Sequence, residues 1–213
     1  MTVIYKYCQQ LHDIISHMMR KIIMLNRVSI DGYFASLNQK TWGMDWFVPD
    51  PEVDKAVHES RDGDAPDTLV LGGETYRGFE RSWVPFLNNP NAPQEMKAVA
   101  QELTQMIKVV FSKTLKKSDI TWENTQLHNG NLIEVVKQLK IGKGGGILIM
   151  GSGTIIRQLA NEGLIDEYVF IMTPVIAGEG KPLFKDVKRL KLKLLSTKNF
   201  DSGNVVLRYE SSK

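Results

Sequence analysis

The segment GGGILIMGSG, residues 144–153, sets an apolar run between two clusters of glycine. The run 147–150 has the length and β-branched content of a buried strand, and the Gly-Ser-Gly sequence 151–153 leads directly into a helical pattern. Glycine lets the backbone approach an oxygen-rich ligand closely, and the first N–H groups of a helix attract negative charge. The joint therefore indicates a phosphate cradle or tight strand–helix packing, and the glycines alone fit both.

Two more predicted strands end in a similar way. The run 67–71 leads into Gly72-Gly73 and a polar turn, and the run 108–111 leads into Ser112 and Lys113. In an open α/β sheet a ligand lies outside the carboxyl ends of the strands, so parallel strands would bring all three joints to one edge. A hydroxyl followed by a cation suits a phosphate monoester such as the 2′-phosphate of NADP. This geometry favours a bound dinucleotide, although the GxGxxG and Walker patterns are both missing.

Strand and helix patterns alternate along the chain as far as residue 172, which predicts an α/β fold with a mostly parallel central sheet. Beyond that point, apolar and polar residues alternate on both sides of the turn 201–204. This alternation predicts an antiparallel hairpin at the C-terminal edge, with one face in solvent. The other predicted elements are strands at 21–28 and 168–172, helices at 51–60, 93–104, 132–139 and 153–162, and a loop around Pro85.

Residues 1–18 differ from the rest of the chain. They lack the basic, apolar and cleavage regions of a secretory signal, although Leu11, Ile14 and Ile15 are spaced as on a short helix. We expect a leader that is poorly ordered or a short helix, followed by a single domain over 19–213. The first core strand should begin at about Lys21.

Composition excludes several classes of protein. The chain has 213 residues, 42% of them hydrophobic and 24% charged, with a net charge of +3. Its basic residues are scattered rather than clustered, and no apolar run reaches the ~20 residues of a membrane helix. One cysteine and four histidines without metal-ligand spacing argue against a disulfide or a zinc site. We therefore expect a soluble, cytoplasmic protein with no metal, membrane or nucleic-acid partner.

The segment 42–47, WGMDWF, places the single carboxylate Asp45 among aromatic residues. Burial among aromatic rings would raise the pKa of this carboxyl group, so that it could bind or protonate a nitrogen heterocycle. Hydride transfer needs no nucleophile, only a dry pocket, a fixed orientation and sometimes a proton source. The alternative is that the aromatic rings complete the core.

Six short motifs occur in an order that resembles the dihydrofolate reductase superfamily. The chain is most similar to the C-terminal reductase domain of the bifunctional riboflavin-biosynthesis deaminase–reductases and their stand-alone relatives, over about residues 19–210. The motifs are Ser29-Ile30-Asp31-Gly32, Asp67-Thr68-Leu69-Val70-Leu71-Gly72-Gly73-Glu74-Thr75-Tyr76, Phe111-Ser112-Lys113-Thr114-Leu115, Gly151-Ser152-Gly153, Gly163-Leu164-Ile165-Asp166-Glu167-Tyr168 and Pro174-Val175-Ile176-Ala177-Gly178-Glu179-Gly180-Lys181-Pro182-Leu183-Phe184.

The resemblance implies a dihydrofolate reductase-like three-layer fold, NADPH as cofactor, a homodimer and a small heterocyclic substrate. The substrate would be a ribosylaminopyrimidine of the riboflavin pathway or a dihydropterin. Another reading is a non-catalytic NADP(H)-binding module with the same fold.

The resemblance also implies site residues: Asp31 and Asp45 as catalytic residues, Ser29 and Gly32 near the nicotinamide, Gly72, Thr75 and Tyr76 near the adenosine and phosphates, Ser112 and Lys113 at the 2′-phosphate, and Gly151, Ser152, Gly153 and Thr154 at the pyrophosphate.

Overall fold

The computed structural model of the chain describes residues 19–41, 43–59 and 65–212. The predicted leader and Trp42 lie outside the described residues. The described strands are β1 (Ile22–Ser29), β2 (Tyr33–Ala35), β3 (Pro66–Gly72), β4 (Ile107–Phe111), β5 (Thr125–His128), β6 (Gly146–Met150), β7 (Glu167–Thr173), β8 (Lys181–Pro182), β9 (Leu192–Asn199) and β10 (Val205–Ser211). The described helices are α1 (Pro51–Glu59), α2 (Gly73–Asn88), α3 (Gln94–Gln105), α4 (Leu132–Ile141) and α5 (Gly153–Asn161).

Eight strands form one sheet in the order β5-β4-β3-β6-β1-β7-β10-β9. Each neighbouring pair from β5 to β7 is parallel, whereas β10 runs antiparallel to β7 and β9 antiparallel to β10. The predicted mostly parallel sheet with an antiparallel C-terminal hairpin at its edge is therefore confirmed. Strands β2 and β8 form a separate antiparallel pair.

Helices cover both faces of the sheet, because alternate residues of each buried strand point to opposite sides. Ile22 and Met24 of β1 pack in a cluster with residues of α4 and α5. Ile23 and Leu25 pack in a second cluster with residues of α1, α2 and α3. The result is three layers, helices–sheet–helices, as expected. None of the described helices is long and apolar enough to cross a membrane.

Helix α2 corrects the predicted loop around Pro85, because the helix continues through this proline to Asn88. The side chains of Phe79, Trp83 and Val84 pack against the core from this helix. Burial of these side chains stabilises the last turns of α2 enough to offset the loss of the backbone hydrogen bond that Pro85 cannot donate. Strand β5 was also not predicted, since its sequence, TQLH, lacks an apolar run.

The hairpin of β9 and β10 forms as predicted, but the burial of β9 does not follow its alternating sequence. Leu194 is 51% exposed and Leu195 44% exposed. As the outermost strand of the sheet, β9 has a neighbouring strand on one side only, and the pairing register shifts between Arg208 and Tyr209. The expectation that one face of β9 is buried is therefore wrong.

Candidate functional site

Three strand ends lie side by side at one edge of the sheet. Strand β3 runs between β4 and β6, with Gly72 beside Phe111 and Val70 beside Ile149. The segments that follow these strands, which begin at Gly73, Ser112 and Gly151, therefore leave the sheet together. The prediction that all three joints share the carboxyl edge is confirmed.

Ser152 ties two of these joints together. Its Oγ accepts a hydrogen bond from the Gly72 N–H at 2.6 Å and lies 2.7 Å from Thr75 Oγ1. Gly151 and Ser152 have φ values of +63° and +59°, in the left-handed region that non-glycine residues rarely adopt. These two residues turn the chain from β6 into α5, and the hydroxyl of Ser152 holds the turn against β3.

Few backbone N–H groups at the start of α5 lack an acceptor. Gly151 N–H donates to the side-chain oxygen of Asn26 at 3.2 Å, and Ile155 N–H donates to the carbonyl of Ser152 at 2.8 Å. The first N–H groups of a helix have no intrahelical acceptor, and at α5 these belong to Gly153 and Thr154. An anion at this joint would therefore be held by N–H groups of residues 152–154, because that of Gly151 is already bonded to Asn26.

Close packing explains the absence of a side chain at two of the glycines. A Cβ on Gly153 would lie 2.8 Å from Cε1 of Phe34, and one on Gly73 would lie 2.7 Å from Oγ of Ser112. Both distances are shorter than packed atoms tolerate. Close strand–helix packing thus explains why residues 73 and 153 are glycine. At residue 151, glycine is required chiefly because φ is positive.

The segment after β4 carries an exposed cation next to the end of the strand. Ser112 Oγ accepts hydrogen bonds from the N–H groups of Thr114 and Leu115, at 3.2 and 3.1 Å, and so fixes the turn. Lys113, which lies between Ser112 and Thr114, is exposed and forms no ion pair with any described residue. Its ammonium group is available to an anionic ligand.

Tyr76 does not line this edge with its side chain. The ring is fully buried, its hydroxyl donates to Glu80 at 2.7 Å, and it accepts from the N–H of Trp122 at 3.2 Å. Burial raises the pKa of this phenol. The hydrophobic cluster under α2 takes the ring inward, so the place of Tyr76 at a cofactor stays a prediction that its side chain does not support.

The turn after β1 is held by its own polar residues. Oγ of the buried Ser29 accepts from Tyr33 N–H at 3.0 Å, and Gly32 has a φ of +85°. Asp31 is exposed and accepts hydrogen bonds from the N–H groups of Ala177 and Gly178, at 3.0 and 2.8 Å. The hydrogen bond from Ser29 and that from Ala177 lower the pKa of Asp31 to about 2. This carboxylate anchors a loop, and its lowered pKa makes it a poor proton donor near neutral pH.

We expect Asp31→Asn to remove a pH-dependent part of the stability. Because the pKa of Asp31 is about 2 in the folded protein and 3.8 ordinarily, its contribution is complete above about pH 4 and is lost as the pH falls through 2. Melting temperatures of wild type and Asp31→Asn should differ at pH 6 and converge toward pH 2. Asp201→Asn, at an exposed turn, serves as the control for a lost surface charge. If the two melting temperatures differed by the same amount at every pH, the lowered pKa of Asp31 would be contradicted.

Asp45 lies in an exposed turn rather than in an apolar pocket. Its carboxylate accepts hydrogen bonds from the hydroxyls of Ser36 and Thr41, the latter at 2.7 Å. These two hydroxyls lower the pKa of Asp45. The expected raised pKa is therefore wrong. The neighbouring rings of Trp46 and Phe47 pack edge to face against each other, with their centroids 4.8 Å apart, and do not enclose the carboxyl group.

Comparison with known proteins shows the family of the chain. Residues 20–206 match the model of the RibD C-terminal domain. The chain belongs to the RibD C-terminal domain family. It is 31% identical over 191 residues to the uncharacterized protein YyaP of Bacillus subtilis, with 89% of this chain and 94% of that protein covered.

Two solved structures share the fold of this RibD C-terminal domain. A putative riboflavin biosynthesis protein from Shewanella sp. PV-4 has a TM-score of 0.64 at 24% identity, covering 91% of this chain and 99% of that one. A pyrimidine reductase-like protein from Corynebacterium diphtheriae has a TM-score of 0.63 at 18% identity, covering 91% and 92%. The fold is of the dihydrofolate reductase type, as the motifs implied.

Sequence reasoning missed two polar residues of β1, Asn26 and Arg27. Asn26 is buried and accepts the Gly151 N–H, so it links the central strand to the turn before α5. Arg27 forms an ion pair with Asp54 of α1. Two polar residues inside the apolar run 22–28 were the available signal, because buried polar side chains in a central strand need partners. Among the described residues, no cluster of acidic, His and Cys side chains could hold a metal ion.

Proposed function

We propose that this protein is an NADPH-dependent reductase of a small heterocyclic substrate, similar to the reductases of riboflavin biosynthesis. The observation that carries the proposal is the shared edge, where the N-terminus of α5, the turn at Gly72 and the segment at Lys113 meet. Membership of the RibD C-terminal domain family supports the same reaction class. We also propose a cytoplasmic homodimer, in keeping with such reductases.

The residues present fit a phosphorylated dinucleotide. The N–H groups of Gly153 and Thr154 would hold the pyrophosphate, because they lack acceptors at the positive end of the α5 dipole. The ammonium group of Lys113 would meet the 2′-phosphate. Gly72 and Thr75, joined to Ser152, would support the adenosine side, while Ser29 and Gly32 lie at the end of β1 toward the substrate. When bound, NADPH supplies the hydride.

The chain itself would orient the two reactants and exclude water. Neither Asp31 nor Asp45 suits the role of proton donor, because hydrogen bonds lower the pKa of both carboxyl groups. We therefore propose that solvent or the substrate supplies the proton. Asp31 then acts by holding the loop at Ala177 and Gly178 over the end of β1.

Absorbance at 340 nm tests the proposal directly. We expect purified protein to oxidise NADPH with at least one member of a panel of dihydropterins and ribosylaminopyrimidines. Tight NADPH binding without turnover on the whole panel would favour the second candidate, a non-catalytic NADP(H)-binding module. The hydrogen bonds that lower the pKa of both candidate carboxyl groups favour this alternative. Absence of NADPH binding would contradict both.

We expect Lys113→Ala to weaken binding of NADPH roughly ten- to a hundredfold and to leave NADH binding almost unchanged. A charge-assisted hydrogen bond to the 2′-phosphate stabilises the complex by roughly 1.5–3 kcal/mol, and NADH lacks that phosphate. Calorimetric titration with both cofactors measures the difference. Lys117→Ala, at an exposed lysine of the same segment, is the matched control. Equal losses for NADPH and NADH would refute the role of Lys113.

A further inference from the structure

His128 lies at the end of β5, the outermost parallel strand of the sheet. It pairs with Phe111, the last residue of β4, and the two rings stack with their centroids 5.5 Å apart and their planes at 30°. The imidazole is half-buried, and both of its nitrogen atoms are open to solvent. Among the residues that the structure describes, none forms a hydrogen bond or an ion pair with this ring.

A backbone hydrogen bond joins His128 to the segment after β4. The carbonyl of His128 accepts from the N–H of Ser112 at 3.0 Å, and Lys113 follows directly in the chain. Neighbouring strands lie about 4.8 Å apart, so the imidazole and the exposed ammonium group belong to adjacent strand ends. An anion held by Lys113 would therefore lie within reach of the His128 ring.

The His128 ring lies on the face of the sheet that α4 and α5 cover. Its stacking partner Phe111 packs against the core cluster on that face, whereas Leu127, the residue before it, packs against the cluster on the opposite face. This difference follows from the alternation of side chains along a strand. The imidazole thus shares a face of the sheet with the N-terminus of α5, where we place the pyrophosphate.

Stacking on Phe111 does not by itself explain a histidine at this position. A phenylalanine or a leucine would cover the Phe111 ring as well and would bring no polar nitrogen to the boundary of the core. Histidine adds a charge that changes between pH 5 and 8. Because the nitrogen atoms of His128 are unpaired and open to solvent, this charge is available to a ligand.

The charges around His128 have both signs. The charged side chains on the neighbouring elements are Lys113, Lys116, Lys117 and Asp119 after β4, Glu123 before β5, and Glu134 and Lys137 of α4. All of them except Asp119, which is half-buried, are exposed, so solvent and salt screen their effect on the imidazole. A phosphate monoester at Lys113 would bring between one and two negative charges, about twice that of any one carboxylate.

We propose that His128 is a second ligand of the 2′-phosphate and, once protonated, increases the preference for NADPH over NADH. This assignment rests on the proposed function, in that NADPH is the cofactor and its 2′-phosphate lies at Lys113. A protonated imidazole donates a charge-assisted hydrogen bond to phosphate, which is roughly twice as strong as one from the neutral ring. The selectivity of the protein for the phosphorylated cofactor therefore rises as the pH falls from 8 to 6.

Nuclear magnetic resonance of the histidine rings tests this contact without any turnover. We expect saturating 2′-AMP to move the midpoint of the His128 titration upward by about one pH unit, and adenosine, which lacks the phosphate, to leave it in place. By linkage, one unit corresponds to tenfold tighter binding of 2′-AMP to the protonated protein. His58 of α1, on the opposite face of the sheet, is the internal control and should titrate alike with both ligands. The same midpoint for His128 with 2′-AMP and adenosine would overturn the proposal.

Two variants separate the charge of His128 from its packing. His128→Phe keeps a ring on Phe111 but carries no charge, whereas His128→Lys is charged at every pH used. Calorimetric titration with 2′-AMP should show His128→Phe within about threefold of wild type at pH 8.5 and five- to tenfold weaker at pH 6. Protonation of the phosphate itself cancels in this comparison, because it affects both proteins alike.

His128→Lys should bind 2′-AMP at pH 8.5 more tightly than wild type does, which a purely structural role would not produce. Adenosine should bind wild type and both variants with the same affinity. An equal loss of 2′-AMP and adenosine in His128→Phe would show that the imidazole stacks on the adenine base and would overturn the proposal. His58→Gln is the control for a lost histidine and should match wild type throughout.

The titrations also distinguish failure of this proposal from failure of the proposed function. If neither 2′-AMP nor NADP⁺ binds at any pH, the cofactor assignment is refuted, and the role of His128 with it. If Lys113→Ala weakens NADP⁺ binding while His128→Phe equals wild type at pH 6, the role of His128 is refuted and the NADPH-dependent reductase stands.

Discussion

NADPH affinity is expected to fall at least about a hundredfold in Gly151→Val. The residue has a φ of +63°, and a Cβ there would lie 3.0 Å from Cγ2 of Thr75. A β-branched side chain in the left-handed region is strongly disfavoured, so the turn before α5 would change its shape. The N–H groups of Gly153 and Thr154 would then no longer converge on the pyrophosphate, with the loss of about two charge-assisted hydrogen bonds of roughly 1.5–3 kcal/mol each.

Gly163→Val is the matched control for this experiment. Gly163 has a φ of +62°, and a Cβ there would meet no atom within 4 Å. The two substitutions thus bring the same backbone strain, but Gly163 follows the far end of α5, away from the shared edge. Titrations and thermal melts should show a loss of stability in both variants, larger in Gly151→Val because of its contact with Thr75, and a loss of affinity in Gly151→Val alone. Normal NADPH binding by folded Gly151→Val would remove the main support for the cofactor site.

Lys108→Met should destabilise the fold by about 2–4 kcal/mol, or roughly 5–15 °C in melting temperature. Lys108 is fully buried, and its Nζ donates to the carbonyls of Leu103, Thr104 and Met106 at 2.8–2.9 Å. It also lies 4.7 Å from the ring of Trp122. Methionine keeps the volume but leaves three carbonyls at the end of α3 without their donor.

The pH dependence of unfolding identifies the buried ammonium group. Burial lowers the pKa of Lys108 to about 8, below the ordinary 10.5 that applies in the unfolded chain. Between these values the unfolded chain holds the additional proton, so this group makes wild-type stability rise as the pH rises from about 8 toward 10. Denaturant unfolding should show that rise in wild type and in the exposed-lysine control Lys137→Met, but not in Lys108→Met. A rise of equal size in Lys108→Met would contradict the assignment.

Much of the fold could be predicted from the sequence because the apolar runs are short, strongly β-branched and separated by glycine. The parallel joints at Gly72, Ser112 and Gly151 follow from that pattern alone. The continuation of α2 through Pro85 could not be predicted, since tertiary packing of Trp83 outweighs a local helix breaker. The exposure of Leu194 escaped prediction for a related reason, because alternation indicates a strand and not its place at the edge of the sheet.

The candidate site was harder to predict than the fold. A motif names residue types, but whether a group is available depends on neighbours far away in the sequence. Tyr76 lies in a matching motif, yet Glu80 and the backbone of Trp122 occupy its hydroxyl. Asp45 lies between aromatic residues in the sequence, yet in the fold the hydroxyls of Ser36 and Thr41 donate hydrogen bonds to its carboxylate. Arg27 belonged to no motif, and its ion pair with Asp54 of α1 is visible only in the folded chain.

The central position of β1 has a consequence for synthesis of the chain on the ribosome. Ile22 pairs with Ile147, so the first strand of the sheet emerges roughly a hundred and twenty-five residues before its first partner. At a translation rate of about 5–20 residues per second, the interval is on the order of ten seconds. During that time the apolar run at 22–25 has no strand to pair with. The sheet therefore forms around β1 only after β6 has been synthesised, late in the synthesis of the chain.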